Sequence, residues 1–262
     1  MKEIIVVKCG GSTLNELSGQ FFSSMKLLKE NNITPIVVHG GGPEIDRMLN
    51  KLEVSCEFVN GLRKTTVEVL EVAEMVLTGK VNKLLVTKLQ NAGLSTIGIS
   101  GCDGGLLLAS AIDQDQLGFV GEVKSVNSEL LLQLLAIDVV PVIAPIGMDE
   151  AGNHLNINAD TAAAAVAASI HAKKMIFVTD VDGILKNNQL QKVLSVSEID
   201  EMISEGTIYG GMIPKVKAAT KCLKGNIEEV YIINGKSESL MVGGEIVGTK
   251  IVASKEPVFS LD

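Results

Sequence analysis

The sequence predicts an α/β fold, in which a mostly parallel sheet is covered by helices on both faces. Short runs rich in β-branched residues alternate with longer segments of helical periodicity along the 262 residues. These runs are continuously apolar, as is typical of strands buried on both faces of a parallel sheet. The sequence has no low-complexity stretch, internal repeat or linker, so we expect one domain over residues 1–262.

The predicted elements follow one another in strand–helix order. We predict buried strands at 3–7, 34–39, 94–100, 139–146, 174–180 and 228–234, and a final extended segment at 246–252. We predict helices at 18–31, 43–52, 66–92 (with Gly79 as a possible break), 127–136, 158–171, 197–205 and 211–223. We expect a hairpin with an Asn60-Gly61 turn at 57–64, and an antiparallel excursion at 105–112 and 119–126.

Composition excludes several classes of function. Hydrophobic residues make up 46% of the chain and charged residues 21%, with a mean hydropathy of +0.32, which excludes a disordered protein. The net charge of −8 and the 3% of aromatic residues argue against binding to nucleic acid or a membrane surface. The four cysteines form no CxxC pair, and no apolar window is long enough to span a membrane, so we expect a cytoplasmic protein.

Two glycine loops follow predicted strands, KCGGS at 8–12 and HGGGP at 39–43. Ligands of parallel sheets lie beyond the carboxyl ends of the strands, and glycine lets backbone N–H groups face an anion. Lys8 is placed to follow a moving phosphoryl group, and Ser12 to cap a helix that favours negative charge. A tight turn with a solvated lysine is the alternative. The dinucleotide motif GxGxxG is absent, and GGEIVGTK at 243–250 fails as a P-loop because it precedes a strand.

Further polar side chains stand at the ends of predicted strands or the starts of predicted helices. Each of them taken alone also fits a helix cap or a solvated surface. Together with the two glycine loops they predict a site for anionic ligands that lacks a nucleophile triad. These side chains are Arg63 in NGLRK, Asn156, Asn158 and Asp160 in NINAD, Asp180 and Asp182 in VTDVDGIL, and Lys215 and Lys217 in GGMIPKVKAA.

In the same order, the segments KCGGS, VVHGGGPEID, NGLRK, NINADTAAAA, VTDVDGIL, GGMIPKVKAA and GTKIV resemble the motifs of the amino acid kinase family. The resemblance runs from residue 4 to residue 252. It is strongest to members that phosphorylate N-acetyl-L-glutamate, which share HGGGP with NGLR, NINAD and GGMIPKV. The resemblance implies an αβα sandwich around a largely parallel sheet of about eight strands. It also implies an N-terminal lobe (about 1–173) for the acyl amino acid and dimerisation, and a C-terminal lobe (about 174–262) for ATP.

The family resemblance also implies roles for individual residues. Lys8 and Lys215 would stabilise the transferring phosphoryl group, and Asp160 would orient both lysines. The residues that would bind the acyl substrate are Gly41, Gly42, Arg63 and Asn156. The residues that would bind the nucleotide are Gly10, Gly11, Asp180, Gly183, Ile184, Leu185, Tyr209 and Gly210. Mg²⁺ would be carried by ATP, without a metal site of the protein's own.

The implied reaction is ATP-dependent phosphorylation of the γ-carboxylate of N-acetyl-L-glutamate to N-acetyl-L-glutamyl 5-phosphate, the second step of arginine biosynthesis. Two alternatives remain open: a related kinase acting on another acyl acceptor, such as carrier-bound aminoadipate, or a non-catalytic sensor of nucleotide or amino acid. Cys102 and the Lys64-Thr65 pair depart from the family pattern. Arginine-inhibited hexameric relatives carry a helix before the first strand, so we expect a homodimer with weak or no arginine feedback.

Overall fold

The computed structural model describes residues 3–210, 212–223, 227–237, 241–242 and 245–254. Its strands are β1 (Glu3–Cys9), β2 (Ile33–His39), β3 (Phe58–Val59), β4 (Leu62–Arg63), β5 (Thr96–Ser100), β6 (Leu107–Ala111), β7 (Val120–Val126), β8 (Val140–Ala144), β9 (Ile146–Met148), β10 (His154–Ile157), β11 (Lys174–Thr179), β12 (Leu185–Lys186), β13 (Gln189–Leu190), β14 (Val193–Ser195), β15 (Glu229–Asn234), β16 (Met241–Val242), β17 (Glu245–Ile246) and β18 (Thr249–Val252). Its α-helices are α1 (Gly19–Glu30), α2 (Gly42–Lys51), α3 (Val67–Glu74), α4 (Asn82–Asn91), α5 (Gln114–Leu117), α6 (Ser128–Ala136), α7 (Ala159–Ser169), α8 (Val196–Ser204) and α9 (Met212–Cys222). Gly211 of the GGMIPKV motif and Gly243 and Gly244 of GGEIVGTK lie outside the described residues.

The central sheet has eight strands in the order β14-β18-β15-β11-β1-β2-β8-β5. The six strands from β15 to β5 are parallel, which confirms the predicted sheet, whereas β18 pairs antiparallel to β15. The described chain between β15 and β18 contains the β16–β17 hairpin and no crossover helix, so β18 returns in the opposite direction. Cys9 of β1 lies opposite His39 on one side and Val178 on the other, so these three strands end together.

Apolar layers cover both faces of the sheet and confirm the αβα sandwich. Ile5 and Val7 of β1 pack into one layer with α1, α3 and α4. Val6 points to the opposite face and packs with α7, α8 and α9. This alternation follows from the two-residue period of a strand, and burial on both faces explains why the strands read as continuous apolar runs.

The structure also contains a small closed barrel, β10-β7-β6-β9, which the sequence pattern does not predict. The expected antiparallel excursion is confirmed as β6 and β7. The segment predicted as one strand at 139–146 is instead two strands, β8 in the sheet and β9 in the barrel, with Pro145 between them. Pro145 has no N–H to donate, and its carbonyl accepts from the N–H of Ile157 on β10 at 2.9 Å, so the chain pairs with the barrel from this residue on.

Two further details of the fold bear on the site. The Asn60-Gly61 turn is confirmed, since φ is 51° at Asn60 and 82° at Gly61, and it joins β3 to β4. The first helix begins after Ser18, whose side chain accepts a hydrogen bond from the Phe21 N–H, so the prediction that Ser12 caps it is wrong. Among the described residues, no helix is long and apolar enough to cross a membrane.

Candidate active site

The two glycine loops lie against each other at the carboxyl ends of β1 and β2. A methyl group on Gly11 would lie 2.7 Å from the backbone nitrogens of both Gly41 and Gly42, so the backbones approach as closely as only glycine permits. Within the described chain, the N–H groups of Gly11, Gly41 and Gly42 donate to no protein acceptor. Gly42 also begins α2, whose N-terminus favours negative charge. The paired loops therefore present free donors to an anion.

A cleft of about 320 Å³ opens in front of these loops. It brings together most of the residues predicted for catalysis and for the acyl substrate, although they lie up to about 150 positions apart in the sequence. The predicted site residues that line the cleft are Lys8, Gly11, Gly41, Gly42, Arg63, Asn156 and Asp160.

An ion pair joins Lys8 to Asp160 in this cleft. The Lys8 Nζ atom lies 2.8 Å from Asp160 Oδ1, and the two side chains are 16% and 36% exposed. Asp160 stands in the first turn of α7, where Asn158 supplies the cap by accepting hydrogen bonds from the N–H groups of Asp160 and Thr161. The cap is thus provided by one member of NINAD, which leaves the Asp160 carboxylate available to Lys8.

Lys215 has a different partner. Its Nζ atom lies 2.6 Å from Asp180 Oδ1, with the side chains 34% and 48% exposed. The hydrogen bond from Lys215 lowers the pKa of the Asp180 carboxyl below its usual value. The family resemblance implies that Asp160 orients both lysines; in this structure Asp160 contacts Lys8, and Lys215 is held by Asp180.

Arg63 ends the β3–β4 hairpin, and only 8% of its side chain is exposed. Its Nη1 atom lies 2.6 Å from Asp46 Oδ1, and its guanidinium lies 4.7 Å from the centre of the Phe58 ring. Burial lowers the pKa of Arg63, but the hydrogen bonds to Asp46 and Cys56 and the charge of Asp46 together outweigh burial and raise it, so the guanidinium remains charged. Nothing in the sequence singled out Asp46, because it lies on α2, 17 positions before its partner.

Asn156 lies on β10 and donates a hydrogen bond from Nδ2 to Thr65 Oγ1 at 3.1 Å. Thr65 is fully buried and donates in turn to the backbone carbonyl of Arg63 at 2.8 Å. Thr65, one of the departures from the family pattern, therefore connects two residues predicted to bind the acyl substrate.

The remaining predicted nucleotide-binding residues lie outside this cleft. Gly10 donates its N–H to the Val178 carbonyl at 3.3 Å, which continues the pairing of β1 with β11. The segment from Asp180 to Leu185 follows β11 and includes Gly183, whose φ of 141° favours glycine, and Ile184, whose N–H donates to Thr249 Oγ1 at 2.8 Å. Tyr209, 75% exposed, and Gly210 lie three and two positions before α9, which begins at Met212.

A second cavity, of about 260 Å³, lies between α7 and α9. Its walls are mostly alanine and aliphatic side chains, and Asp160 is the one predicted site residue among its described lining. Polar groups that fix an anionic ligand are concentrated in the glycine-loop cleft, which is therefore the candidate active site.

Comparisons with known proteins agree with this geometry. The Amino acid kinase family profile matches residues 3–234. An acetylglutamate kinase from Halalkalibacterium halodurans is 53% identical over 251 residues, which cover 96% of both chains. The solved structure of smu.665 from Streptococcus mutans UA159 is 33% identical with a TM-score of 0.84, and the match covers 97% of this chain and 100% of that one.

A carbamate kinase from Giardia lamblia, bound to AMP-PNP, is only 13% identical but has a TM-score of 0.70 over 96% of this chain and 99% of that one, which shows the shared fold. The sequence relationship to the acetylglutamate kinase extends over nearly the full length of both chains. With a match of this extent, the protein is an enzyme that belongs to the amino acid kinase family, in the group of acetylglutamate kinases.

Proposed function

We propose that this kinase transfers the γ-phosphoryl group of ATP to the γ-carboxylate of N-acetyl-L-glutamate and so carries out the second step of arginine biosynthesis. The observation that carries the proposal is the cleft in which Lys8, the free N–H groups of Gly41 and Gly42, and the Arg63 guanidinium face one space. That set of donors suits a small acceptor with carboxylates at both of its ends.

Recognition of the acceptor is assigned to the part of the cleft around the hairpin. Arg63 is the residue for the α-carboxylate, because a guanidinium offers two parallel donors to a carboxylate. Asp46 occupies Nη1, and Nη2 lies beside Gly42, so the arginine is already oriented before the substrate binds. Asn156 and the N–H groups of Gly41 and Gly42 supply the further polar contacts to the acyl chain.

The chemical step is an in-line displacement at phosphorus. An oxygen of the substrate's γ-carboxylate forms a bond to the γ-phosphorus of ATP, the bond to the bridging β,γ oxygen breaks, and ADP leaves. A glutamate-type carboxyl has a pKa near 4.3, so it is already ionised at neutral pH and needs no catalytic base. Catalysis therefore reduces to positioning and charge neutralisation.

Lys8 and Lys215 are assigned to the charge that develops on the transferring group. Asp160 keeps the Lys8 ammonium in place through the 2.8 Å ion pair. The Lys215–Asp180 pair is more exposed, and an exposed ion pair contributes little free energy, so Lys215 can exchange Asp180 for a phosphate oxygen at small cost.

The nucleotide is assigned to the C-terminal lobe (about 174–262), and the acyl substrate to the N-terminal lobe (about 1–173). Asp180, Gly183, Ile184, Leu185, Tyr209 and Gly210 surround the ends of β11 and α9 and are the proposed nucleotide contacts, with Gly10 and Gly11 at the phosphates. The described residues contain no group of three or more acidic, histidine or cysteine side chains that would hold a metal ion. We propose that Mg²⁺ is carried by ATP, where it would neutralise phosphate charge.

We further propose a cytoplasmic homodimer. β5 forms one edge of the sheet, and Ile97 on this strand is exposed. An unpaired strand edge with apolar side chains is a template for pairing with a second chain. Sedimentation that gives a monomer at micromolar concentration would contradict the dimer.

An acceptor screen tests the proposed function. Release of ADP is measured with N-acetyl-L-glutamate, with L-glutamate, with L-2-aminoadipate and with N-acetyl-L-glutamine, which matches the first compound but lacks the γ-carboxylate. We expect turnover with N-acetyl-L-glutamate and none with N-acetyl-L-glutamine. Turnover with another acceptor alone, or with none, would overturn the proposal.

A further inference from the structure

A buried polar network lies directly behind the second glycine loop and has no part in the chemistry described so far. His39, the last residue of β2, and Asn82, the first residue of α4, are both fully buried. A buried histidine and a buried asparagine are costly to keep unless their hydrogen bonds do something that apolar side chains cannot.

The hydrogen bonds of His39 fix its tautomer. Nδ1 lies 2.9 Å from the carbonyl oxygen of Gly40, which only accepts, so Nδ1 carries the proton. Nε2 is then an acceptor, and it lies 3.2 Å from Asn82 Nδ2, which donates. Burial lowers the pKa of His39 to about 4, in agreement with a neutral ring that makes both bonds at neutral pH.

The side chain of Asn82 makes further hydrogen bonds besides the one to His39. Its Nδ2 atom also donates to the Val142 carbonyl at 2.8 Å, and its Oδ1 atom accepts from Lys83 Nζ at 3.1 Å. A methyl group on Gly98 would overlap Asn82 Oδ1, so the asparagine occupies space that exists because residue 98 is glycine. The network thus connects the sheet strands β2, β5 and β8 to the carbonyl of Gly40.

This connection determines the direction of one N–H group in the cleft. The peptide between Gly40 and Gly41 is planar, so its carbonyl and its N–H point in opposite directions. The carbonyl points to His39, so the Gly41 N–H points the other way, on the side of the cleft that Gly41 lines, and the Gly41 nitrogen lies 2.7 Å from the position of a methyl group on Gly11. A peptide between two glycines turns over easily unless something holds it.

We propose that His39 and Asn82 are positioning residues that hold the Gly40–Gly41 peptide with its N–H toward the acyl substrate. The inference rests on the proposed function, in which Gly41 contacts that substrate. Loss of the His39 hydrogen bond should weaken acceptor binding and leave nucleotide binding unchanged.

Two substitutions of His39 separate this role from a general contribution to stability. The amide nitrogen of asparagine reaches the position of Nδ1, whereas that of glutamine reaches the position of Nε2. His39→Asn therefore keeps the donor to Gly40, and His39→Gln loses it. We expect H39Q to raise the KM for N-acetyl-L-glutamate about tenfold, the cost of one good hydrogen bond, and H39N to raise it less than threefold. The KM for ATP should change less than twofold in both variants. Equal KM changes for the acceptor in the two variants, or an equal rise for ATP, would overturn the proposal.

Gly98→Ala perturbs the same network at Asn82 and leaves residue 39 unchanged. It should displace Asn82 and raise the KM for the acceptor, while Leu85→Ala, a core truncation on the same helix, should lower the melting temperature and leave both KM values within twofold. A rise in KM for L85A as large as for G98A would count against the network.

Crystal structures of H39N and H39Q without substrate separate this proposal from the proposed function. We expect the Gly40 carbonyl to face residue 39 in H39N and to turn away in H39Q; the same orientation in both variants would refute the positioning role. If the wild-type enzyme fails to phosphorylate N-acetyl-L-glutamate, the proposed function fails, and these structures still decide the orientation of the peptide.

Discussion

The two lysine–aspartate pairs of this enzyme are built differently. Lys8 stands on a central strand of the sheet and pairs with Asp160 inside the cleft, where the lysine side chain is sheltered (16% exposed) and the aspartate is partly exposed (36%). Lys215 stands on α9 and pairs with Asp180 in a more exposed position. A sheltered pair is fixed by its surroundings, whereas an exposed pair is weak and exchangeable. We therefore expect a rigid half of the site around Lys8, which we propose binds the acyl substrate, and an adaptable half around Lys215, which we propose binds the nucleotide.

Removal of either lysine should give the largest effect on activity. We expect Lys8→Ala and Lys215→Ala each to lower kcat by about 10²–10³-fold, because each removes a charge that we propose stabilises the transferring group, with far smaller losses of nucleotide affinity. Steady-state kinetics and ATP titration measure the two quantities. Lys217→Ala, an exposed lysine on the same helix, is the control and should retain full turnover. Unchanged kcat in either of the first two variants would refute the assigned role.

The rigid half should also tolerate no side chain between its glycine loops. Gly11→Ala places a methyl group 2.7 Å from the backbone nitrogens of Gly41 and Gly42, so the two glycine loops must move apart. We expect kcat/KM to fall about 10²-fold. Gly19→Ala is the control, because a methyl group there meets nothing within 4 Å. If the two variants have the same kcat/KM, the close approach of the loops does not matter for activity.

The buried His39 behind the second glycine loop should make the free energy of unfolding depend on pH. His39 has a pKa of about 4 in the folded protein and near 6.5 in the unfolded chain. Between these values the unfolded state binds a proton that the folded state excludes, so the free energy of unfolding decreases as the pH falls. We expect a loss of about 2 kcal/mol from this group between pH 7 and pH 5. Urea unfolding of the wild type and of H39N measures the loss, which should disappear in H39N.

A matched substitution checks the assignment to His39. Leu85→Ala removes a buried side chain of α4 without removing a titratable group, so it should lower stability and keep the pH dependence of the wild type. If H39N retains the same slope as the wild type, some other group is responsible.

Substitution of Asp160 and Asp180 tests the difference between the two lysine–aspartate pairs most directly. It should have the smallest effects on kcat. Asp160→Asn leaves a sheltered ammonium without its counter-charge, and we expect kcat to fall about tenfold. Asp180→Asn removes a weak partner of Lys215, and we expect a change of less than threefold. Steady-state kinetics at saturating ATP measures both. Equal losses would show that the two halves are equally rigid.

The sequence alone predicts most strands of the central sheet and those site residues that stand in local motifs. Continuous apolar runs predict β1, β2 and β11 because burial on both faces leaves few polar positions. The NINAD motif predicts a cap and a site together, and the structure separates the two functions between Asn158 and Asp160. These signals are local, so periodicity and capping rules detect them.

The remaining features depend on contacts that are distant in sequence. Asp46 reaches Arg63 only once the hairpin has folded onto α2, and His39 reads as one more buried residue until Asn82 lies beside it. The closed barrel escapes prediction because β9 and β10 have only three and four residues, too few to show a period. Lys215 pairs with Asp180 across separate elements, which the motif spacing does not reveal.

The position of β1 has a consequence for how the enzyme loses activity. This strand lies between β11 and β2, with three more strands beyond β11 and two beyond β2. Amide protons in such a strand exchange with solvent only when the whole domain opens, whereas edge strands such as β5 and β14 exchange through local fraying. Since Lys8 is carried by β1, hydrogen exchange at its backbone amide should report the global stability of the protein. Warming should therefore abolish turnover and the fold in a single transition.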